Sequence, residues 1–262
     1  MGDEAVGRHA RTLESEIGLL ERRVRQSAKE LRLLRLKLRR GARSEMAEIR
    51  DEWEDVHPRW WTFVVAGLVA FFLASYLFYM NLGWYADQRV LPPSSDWLLE
   101  RLPSLNLVPM LSWGWLALHG WALGTALLYY PRRMPFLLFL LGIYLLVRTI
   151  FVFLSPIGAP VDILDMREMD YLFSLVAGAY TFQNEFIFSG HTAIPFLFFL
   201  FFESRGHKAV MLTGSVLMAA AVLLTHNHYS LDVISAYFIG YAIFVLSRKL
   251  YYLGVRPLYL GA

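Results

Sequence analysis

Residues 135–156 read PFLLFLLGIYLLVRTIFVFLSP, an apolar run that a single charge, Arg148, interrupts. A helix needs about 20 predominantly apolar residues to cross a bilayer, so this stretch is long enough to span one. Outward from it, further apolar blocks lie at roughly 61–82, 107–129, 188–203, 208–225 and 231–252. The spacing predicts an all-α polytopic membrane protein with six transmembrane helices. The composition agrees: 56% of residues are hydrophobic and 16% aromatic, with a mean hydropathy of +0.42. That is too apolar for an ordinary soluble domain. The chain has no cysteine, which excludes disulfides, thiolate catalysis and Cys-ligated metals. The first 59 residues are polar, so no cleavable signal peptide is expected ahead of the first span.

The net charge is +3, and its placement matters more than its size. Residues 17–43 hold ten Lys or Arg against two acids, Glu21 and Glu30. Ile17, Val24, Leu31 and Leu38 share one heptad position; Leu13, Leu20, Ser27 and Leu34 share the other. β-Branched residues early at the first position with Leu at the second suit a two-stranded parallel coil, hence a homodimer through this helix. Leu19, Leu33 and Leu36 widen the apolar face, which equally suits an amphipathic helix lying on anionic headgroups. No recognition motif accompanies the basic residues, so nucleic acid is not an expected partner. The expected division is a cytoplasmic basic amphipathic or coiled-coil helix over 1–59, a six-helix catalytic domain over 60–252 and a cytoplasmic tail over 253–262.

Trp60, Trp61, Trp84, Trp97, Tyr129 and Tyr130 sit near span ends, as interfacial aromatics do. One side of the bilayer collects Arg132, Arg133, Arg205, Lys208, Arg248, Lys249 and Arg256 with the basic N-terminal segment; the other has only Arg89, Arg101 and Arg167. The positive-inside rule then puts both termini in the cytoplasm. The loops before span 4 and between spans 5 and 6 face the exoplasmic side, lumenal or periplasmic.

Those two loops carry the polar residues that lipid would not tolerate without cause. FSGHT (188–192) places His191 at the outer lip of span 4, and THNHYSLDV (225–233) places His228 four residues from Asp232. That spacing puts both on one helical face. A carboxylate against one imidazole nitrogen fixes the tautomer and stabilises positive charge on the ring, leaving the other nitrogen as nucleophile or base. Arg148 lies inside span 3; an arginine there faces a site or cavity far more often than lipid, and a guanidinium is a natural phosphate clamp. The set reads as metal-free phosphoryl chemistry. His228 attacks phosphorus with Asp232 behind it, and His191 protonates the leaving alkoxide and later deprotonates the acceptor. Ser189, the Gly190 backbone and the N-terminus of span 4 donate to phosphate oxygens.

FSGHT together with HNHYSLDV resembles the superfamily of type 2 phosphatidic acid phosphatases, and within it the sphingomyelin synthase branch. That branch carries segments close to GDYLFSGHT and HDHYTVDV, against NEFIFSGHT and HNHYSLDV here. The likeness extends to LPPSSDWLLERLP, to the arginine pair before span 3 and to YLLVRTIFVFLSPIG, covering roughly residues 60–252. It implies a catalytic triad of His191, His228 and Asp232 on the exoplasmic face. Phosphatase members carry a Lys…Arg-Pro motif and an arginine six residues before the nucleophile. Here that second position is Val222, which favours a phosphodiester over a phosphomonoester substrate. Glu185 stands where the synthases have aspartate and Gln183 where they have cysteine. Glu185 thereby joins the substrate-binding set, and the two changes bear on headgroup choice.

His57, His119 and His207 are expected to be structural, and His226 is either a partner of the site or an interface residue. The acidic stretch DILDMREMDYLF, with Asp162, Asp165, Glu168 and Asp170, could hold Mg²⁺ or Ca²⁺. An interfacial helix over the site is the expectation instead, with no metal and no cofactor. A glycine-mediated helix pair is not expected. The expected function is transfer of a phospho-headgroup, phosphocholine or phosphoethanolamine, from a glycerophospholipid to a lipid alcohol of ceramide or diacylglycerol type. The alternatives are a lipid phosphatase or phospholipase C-type hydrolase, and a catalytically idle membrane scaffold.

Overall fold

The computed structural model describes residues 27, 31, 47, 49–54, 58–89, 91–154, 157–164, 169–170 and 186–256. By its contacts the chain divides into Met1–Asp55 and Val56–Ala262. The heptad segment falls almost wholly outside the described residues, as do Glu185, Gln183, Asp165 and Glu168.

Six α-helices make up the described part of the second unit: α1 (Pro58–Asp87), α2 (Trp115–Tyr129), α3 (Met134–Leu154), α4 (Gly190–Phe201), α5 (Arg205–Leu224) and α6 (Ser230–Leu250). Among the described residues the protein is helical, with one isolated parallel bridge between Pro93 and Gly158. Four helical segments are long and apolar enough to cross a membrane: Val64–Tyr85, Pro131–Leu154, Arg205–Leu224 and Ser230–Val255. The other two expected spans are shorter helices. A π-helical turn at Met110–Gly114 precedes α2. α4 has 12 residues, about 18 Å against a hydrocarbon core of about 30 Å.

α4 is the centre of the packing, touching α2, α5 and α6, while α1 lies along α3 and α3 also meets α6. Aromatic and aliphatic side chains fill the space between them, with Phe136, Leu140, Tyr144, Leu197, Phe198 and Phe201 almost fully buried. α1 and α3 approach closely at Gly142, where a Cβ would collide with the Phe71 ring. A GxxxG spacing does occur in the second apolar block, at Gly120 and Gly124 on α2, although no neighbouring helix packs on it among the described residues: a Cβ on either would meet nothing within 4 Å.

The loops gather at two ends. At one, Arg133 of the α2–α3 connection pairs with Glu203 of the α4–α5 connection at 2.7 Å, and the Tyr130 hydroxyl lies 3.1 Å from His207 Nδ1. At the other end, the segments 93–107 and 157–164 are tied to the α5–α6 turn. Leu105 N–H donates to the Leu224 carbonyl at 2.7 Å, and Asn227 Nδ2 donates to the Leu164 carbonyl at 3.0 Å. Pro195 inside α4 has no N–H to return to the carbonyl of His191, one turn back. FSGHT and HNHYSLD both lie at this second end.

Candidate active site

The start of α4 is built around a strained residue. Phe188 has φ 29°, a conformation that a bulky side chain adopts only when its surroundings hold it there. What holds it is Arg148, reaching across from α3. Nη1 donates to the Phe188 carbonyl at 2.5 Å and to the Ile187 carbonyl at 3.2 Å. Arg148 is buried, with 5% of its surface exposed, so this intramembrane charge serves the turn that precedes His191. Ser189 N–H donates to the Asp232 carbonyl at 3.0 Å, which ties the turn to α6. Ser189 supplies no side-chain cap to α4, and its Oγ is buried without a protein partner. The first-turn N–H groups of α4 are therefore uncapped by Ser189, and the helix dipole favours negative charge in front of them. A Cβ on Gly190 would lie 3.2 Å from the Tyr144 hydroxyl and 3.7 Å from Arg148 Cζ. The contact with Tyr144 is tight, and glycine leaves the approach to the guanidinium clear.

The start of α6 supplies the second element. His228 Nδ1 lies 3.4 Å from Asp232 Oδ2, and both residues are buried, at 7% and 5% exposure. The same carboxylate oxygen accepts the backbone N–H of Tyr229 at 3.0 Å, the reach-back half of a capping box. Because a carboxylate only accepts, Nδ1 bears the hydrogen and the lone pair of neutral His228 sits on Nε2. The ring of Phe186 meets His228 edge-on at 5.9 Å.

His191 is held differently. Its Nε2 lies 3.2 Å from the Leu111 carbonyl in the π-helical turn. A carbonyl also only accepts, so Nε2 carries a hydrogen and Nδ1 is the atom left to exchange a proton. Its ring rests against Trp115 at 5.6 Å. His228, His119 and Arg148 are near enough to act on its charge.

His119, expected to be structural, lies beside this group. Its Nδ1 lies 2.7 Å from the Trp115 carbonyl and its ring stacks on Trp115 at 3.9 Å. Its Nε2 is buried without a protein partner. The spacing of Leu111, Trp115 and His119 at four-residue intervals is the signal that places all three on one face. His226 is buried at 7% exposure, with φ 53° and an unpartnered Nε2. It lines an open pocket of about 260 Å³ with Asp96 and Tyr229, rather than the space around His191. His207 is far from both, enclosed by Trp121, Tyr129, Tyr130 and Phe202.

Asp96 lies in LPPSSDWLLERLP and Tyr229 in HNHYSLDV, where the residue pattern assigns neither a role, yet both brace the α6 start. The Tyr229 hydroxyl accepts from Ser94 N–H and donates to the Gly158 carbonyl, both at 2.9 Å. A Cβ at Gly158 would run into the Leu91 carbonyl, so that approach too requires glycine. Burial raises the Tyr229 pKa above the ordinary phenol value, helped by the charges of Asp232 and Asp96 and opposed by the Ser94 hydrogen bond. For Asp96, partial burial disfavours ionisation, but hydrogen bonds from Leu99, Ser230 and Leu98 outweigh it and hold the carboxyl below its usual range. Asp170 accepts from Ser112 Oγ at 2.8 Å, next to Leu111. Among the described residues no three His, Asp or Glu side chains gather as metal ligands.

The groups present are a buried imidazole against a carboxylate, a second imidazole, and a guanidinium beside the unobstructed Gly190, side chains of the kind that phosphoryl transfer uses. A comparison with protein families reaches the same segment. Residues 184–249 match the PAP2 superfamily C-terminal family. No curated protein and no solved structure matches the chain. The PAP2 segment runs through α4 and α5 into the last turn of α6 and contains Ser189, Gly190, His191, His228 and Asp232. Arg148, Leu111 and Asp96 reach the site from outside it. PAP2 superfamily proteins are typically metal-independent phosphatases or phosphotransferases.

Proposed function

We propose that this protein is an integral-membrane phosphotransferase of the sphingomyelin synthase type. It moves phosphocholine or phosphoethanolamine from a glycerophospholipid to a lipid alcohol such as ceramide and releases diacylglycerol. The observation that supports the reading is the buried His228–Asp232 pair at 3.4 Å, tied through the Asp232 carbonyl to the Ser189 N–H that precedes His191. In this reading the chain crosses the bilayer six times, the 12-residue α4 doing so with the segments that flank it; both termini are cytoplasmic and the site opens on the exoplasmic side.

His228 Nε2 attacks phosphorus and forms a P–N bond as the P–O bond to diacylglycerol breaks. Protonated His191 gives its proton to the departing alkoxide. Asp232 stabilises the imidazolium character that develops on His228. The acceptor hydroxyl then loses its proton to His191, its oxygen attacks phosphorus and the P–N bond breaks. Arg148 and the first-turn N–H groups of α4 meet the negative charge on the non-bridging oxygens. Val222, where phosphatases carry an arginine, is fully buried in an apolar cluster with Leu111, Met218 and Val233. A site with fewer cations suits the single negative charge of a phosphodiester.

The reading is tested by incubating the purified protein with labelled phosphatidylcholine or phosphatidylethanolamine, with and without ceramide, and resolving the products by mass spectrometry. Ceramide-dependent headgroup transfer, unaffected by EDTA, is expected. Headgroup release indifferent to ceramide would make the protein a hydrolase, and loss of turnover on chelation would return a metal to the acidic loop. Gly190→Ala is expected to lower kcat/KM roughly 10-fold, because its methyl group fills the space in front of the Arg148 guanidinium, at 3.7 Å, and shifts the Tyr144 hydroxyl, at 3.2 Å, by a few tenths of an ångström. Steady-state kinetics on the folded variant measures it.

A further inference from the structure

We propose that Asp96 is a positioning residue for the nucleophile, acting on His228 through the first residue of α6; the inference rests on the reading of His228 above. Asp96 lies in the segment between α1 and α2, more than a hundred residues from the histidine it serves. Its own loop fixes the carboxylate first. Oδ1 accepts the backbone N–H groups of Leu98 and Leu99, each at 3.0 Å, and the Asp96 carbonyl accepts from Glu100 N–H at 3.0 Å. The fixed carboxylate then grips Ser230 twice. Oδ2 accepts the Ser230 N–H at 2.6 Å, and Oδ1 accepts from Ser230 Oγ at 3.0 Å.

Ser230 stands midway between His228 and Asp232 in the chain. The His228–Asp232 contact is already long at 3.4 Å, so a shift of a few tenths of an ångström at Ser230 decides whether it is a hydrogen bond. Tyr229 is moored by the neighbouring Ser94 and by Gly158. The two residues that follow His228 are thus clasped from outside the PAP2 segment. The grip needs a carboxylate rather than an amide. Every group facing Asp96 in these contacts is a donor, and an asparagine would turn its own N–H₂ toward one of them. The charge also occupies the positive end of the α6 dipole, which leaves the uncapped start of α4 as the place for the substrate anion.

The test compares Asp96→Ala, Ser230→Ala and the double variant in the full-length protein, measuring kcat and donor KM with folding monitored by thermal unfolding in detergent. Asp96→Ala is expected to lower kcat roughly 30–100-fold through misplacement of the imidazole while donor KM stays within about 2-fold. Ser230→Ala is expected to cost a few-fold on its own and nothing further in the Asp96→Ala background, because both act through one contact. If Asp96→Ala does not fold, Ser230→Ala alone must lower kcat with KM and unfolding temperature unchanged. Wild-type kcat in either single variant overturns the proposal, and so do independent, multiplying effects in the double variant. Absence of lipid turnover in the wild type overturns instead the reading on which it rests.

Discussion

His228→Ala is expected to remove headgroup transfer almost completely, by on the order of 10⁴-fold or more, as loss of a covalent nucleophile does. The expectation follows from the way the ring is held. Asp232 Oδ2 takes Nδ1–H, which leaves Nε2 as the only basic atom of the ring. Water or the acceptor alcohol cannot replace it, because neither can form the intermediate that splits the transfer into two steps. Asp232→Asn should cost roughly 10³–10⁴-fold, since an amide can present its N–H₂ to Nδ1 and favour the wrong tautomer. Direct displacement by the acceptor would instead leave the His228→Ala protein with appreciable ceramide-dependent product. Measured rates of both variants, with folding confirmed by unfolding temperature, separate the two.

His191→Ala should lower turnover by roughly 10²–10⁴-fold, the usual contribution of a general acid–base group. It should also do so selectively. The histidine is needed because the diacylglycerol alkoxide is a poor leaving group. A donor whose leaving group is a nitrophenolate needs no protonation, so formation of the covalent intermediate from it should be nearly insensitive to His191→Ala. Transfer from the intermediate to a lipid alcohol should remain slow, because the acceptor must still lose a proton. Equal losses with both donors would mean that His191 binds phosphate rather than moves a proton. The hydrogen bond from Nε2 to Leu111 makes Nδ1 the exchanging atom, a different nitrogen from the one used by His228.

Much of this architecture is visible in the residue order, for physical reasons that also mark where it stops being visible. The six apolar blocks correspond to α1–α6 because hydrophobic length and helix length are the same constraint in lipid. The shortness of α4 was legible too, since 188–203 is the shortest apolar block; where the helix starts and stops, at Gly190 and Phe201, was not, because FSGHT and the Phe-Phe-Glu at its far end read as continuous with the apolar run. The His228–Asp232 pair was legible because it is local, four residues apart on one helix. Arg148 stood out because a charge in an apolar run is conspicuous, although its grip on the Phe188 carbonyl was not. His119 gave only its four-residue spacing from Trp115 and Leu111, and Asp96 gave less, since it meets Ser230 across 134 positions. Contacts of that kind are set by how helices pack, and no spacing rule records them.

The most direct test of the central claim is to trap the intermediate on the wild-type protein. A donor lipid labelled in its phosphate is added without acceptor, the reaction is quenched in alkali, and the digested protein is mapped by mass spectrometry. The account predicts an acid-labile, alkali-stable headgroup–phosphoryl adduct on His228, discharged when ceramide is added and absent from His228→Ala. An adduct on His191 or on another residue, or transfer at full rate with no adduct formed on the enzyme, would contradict it.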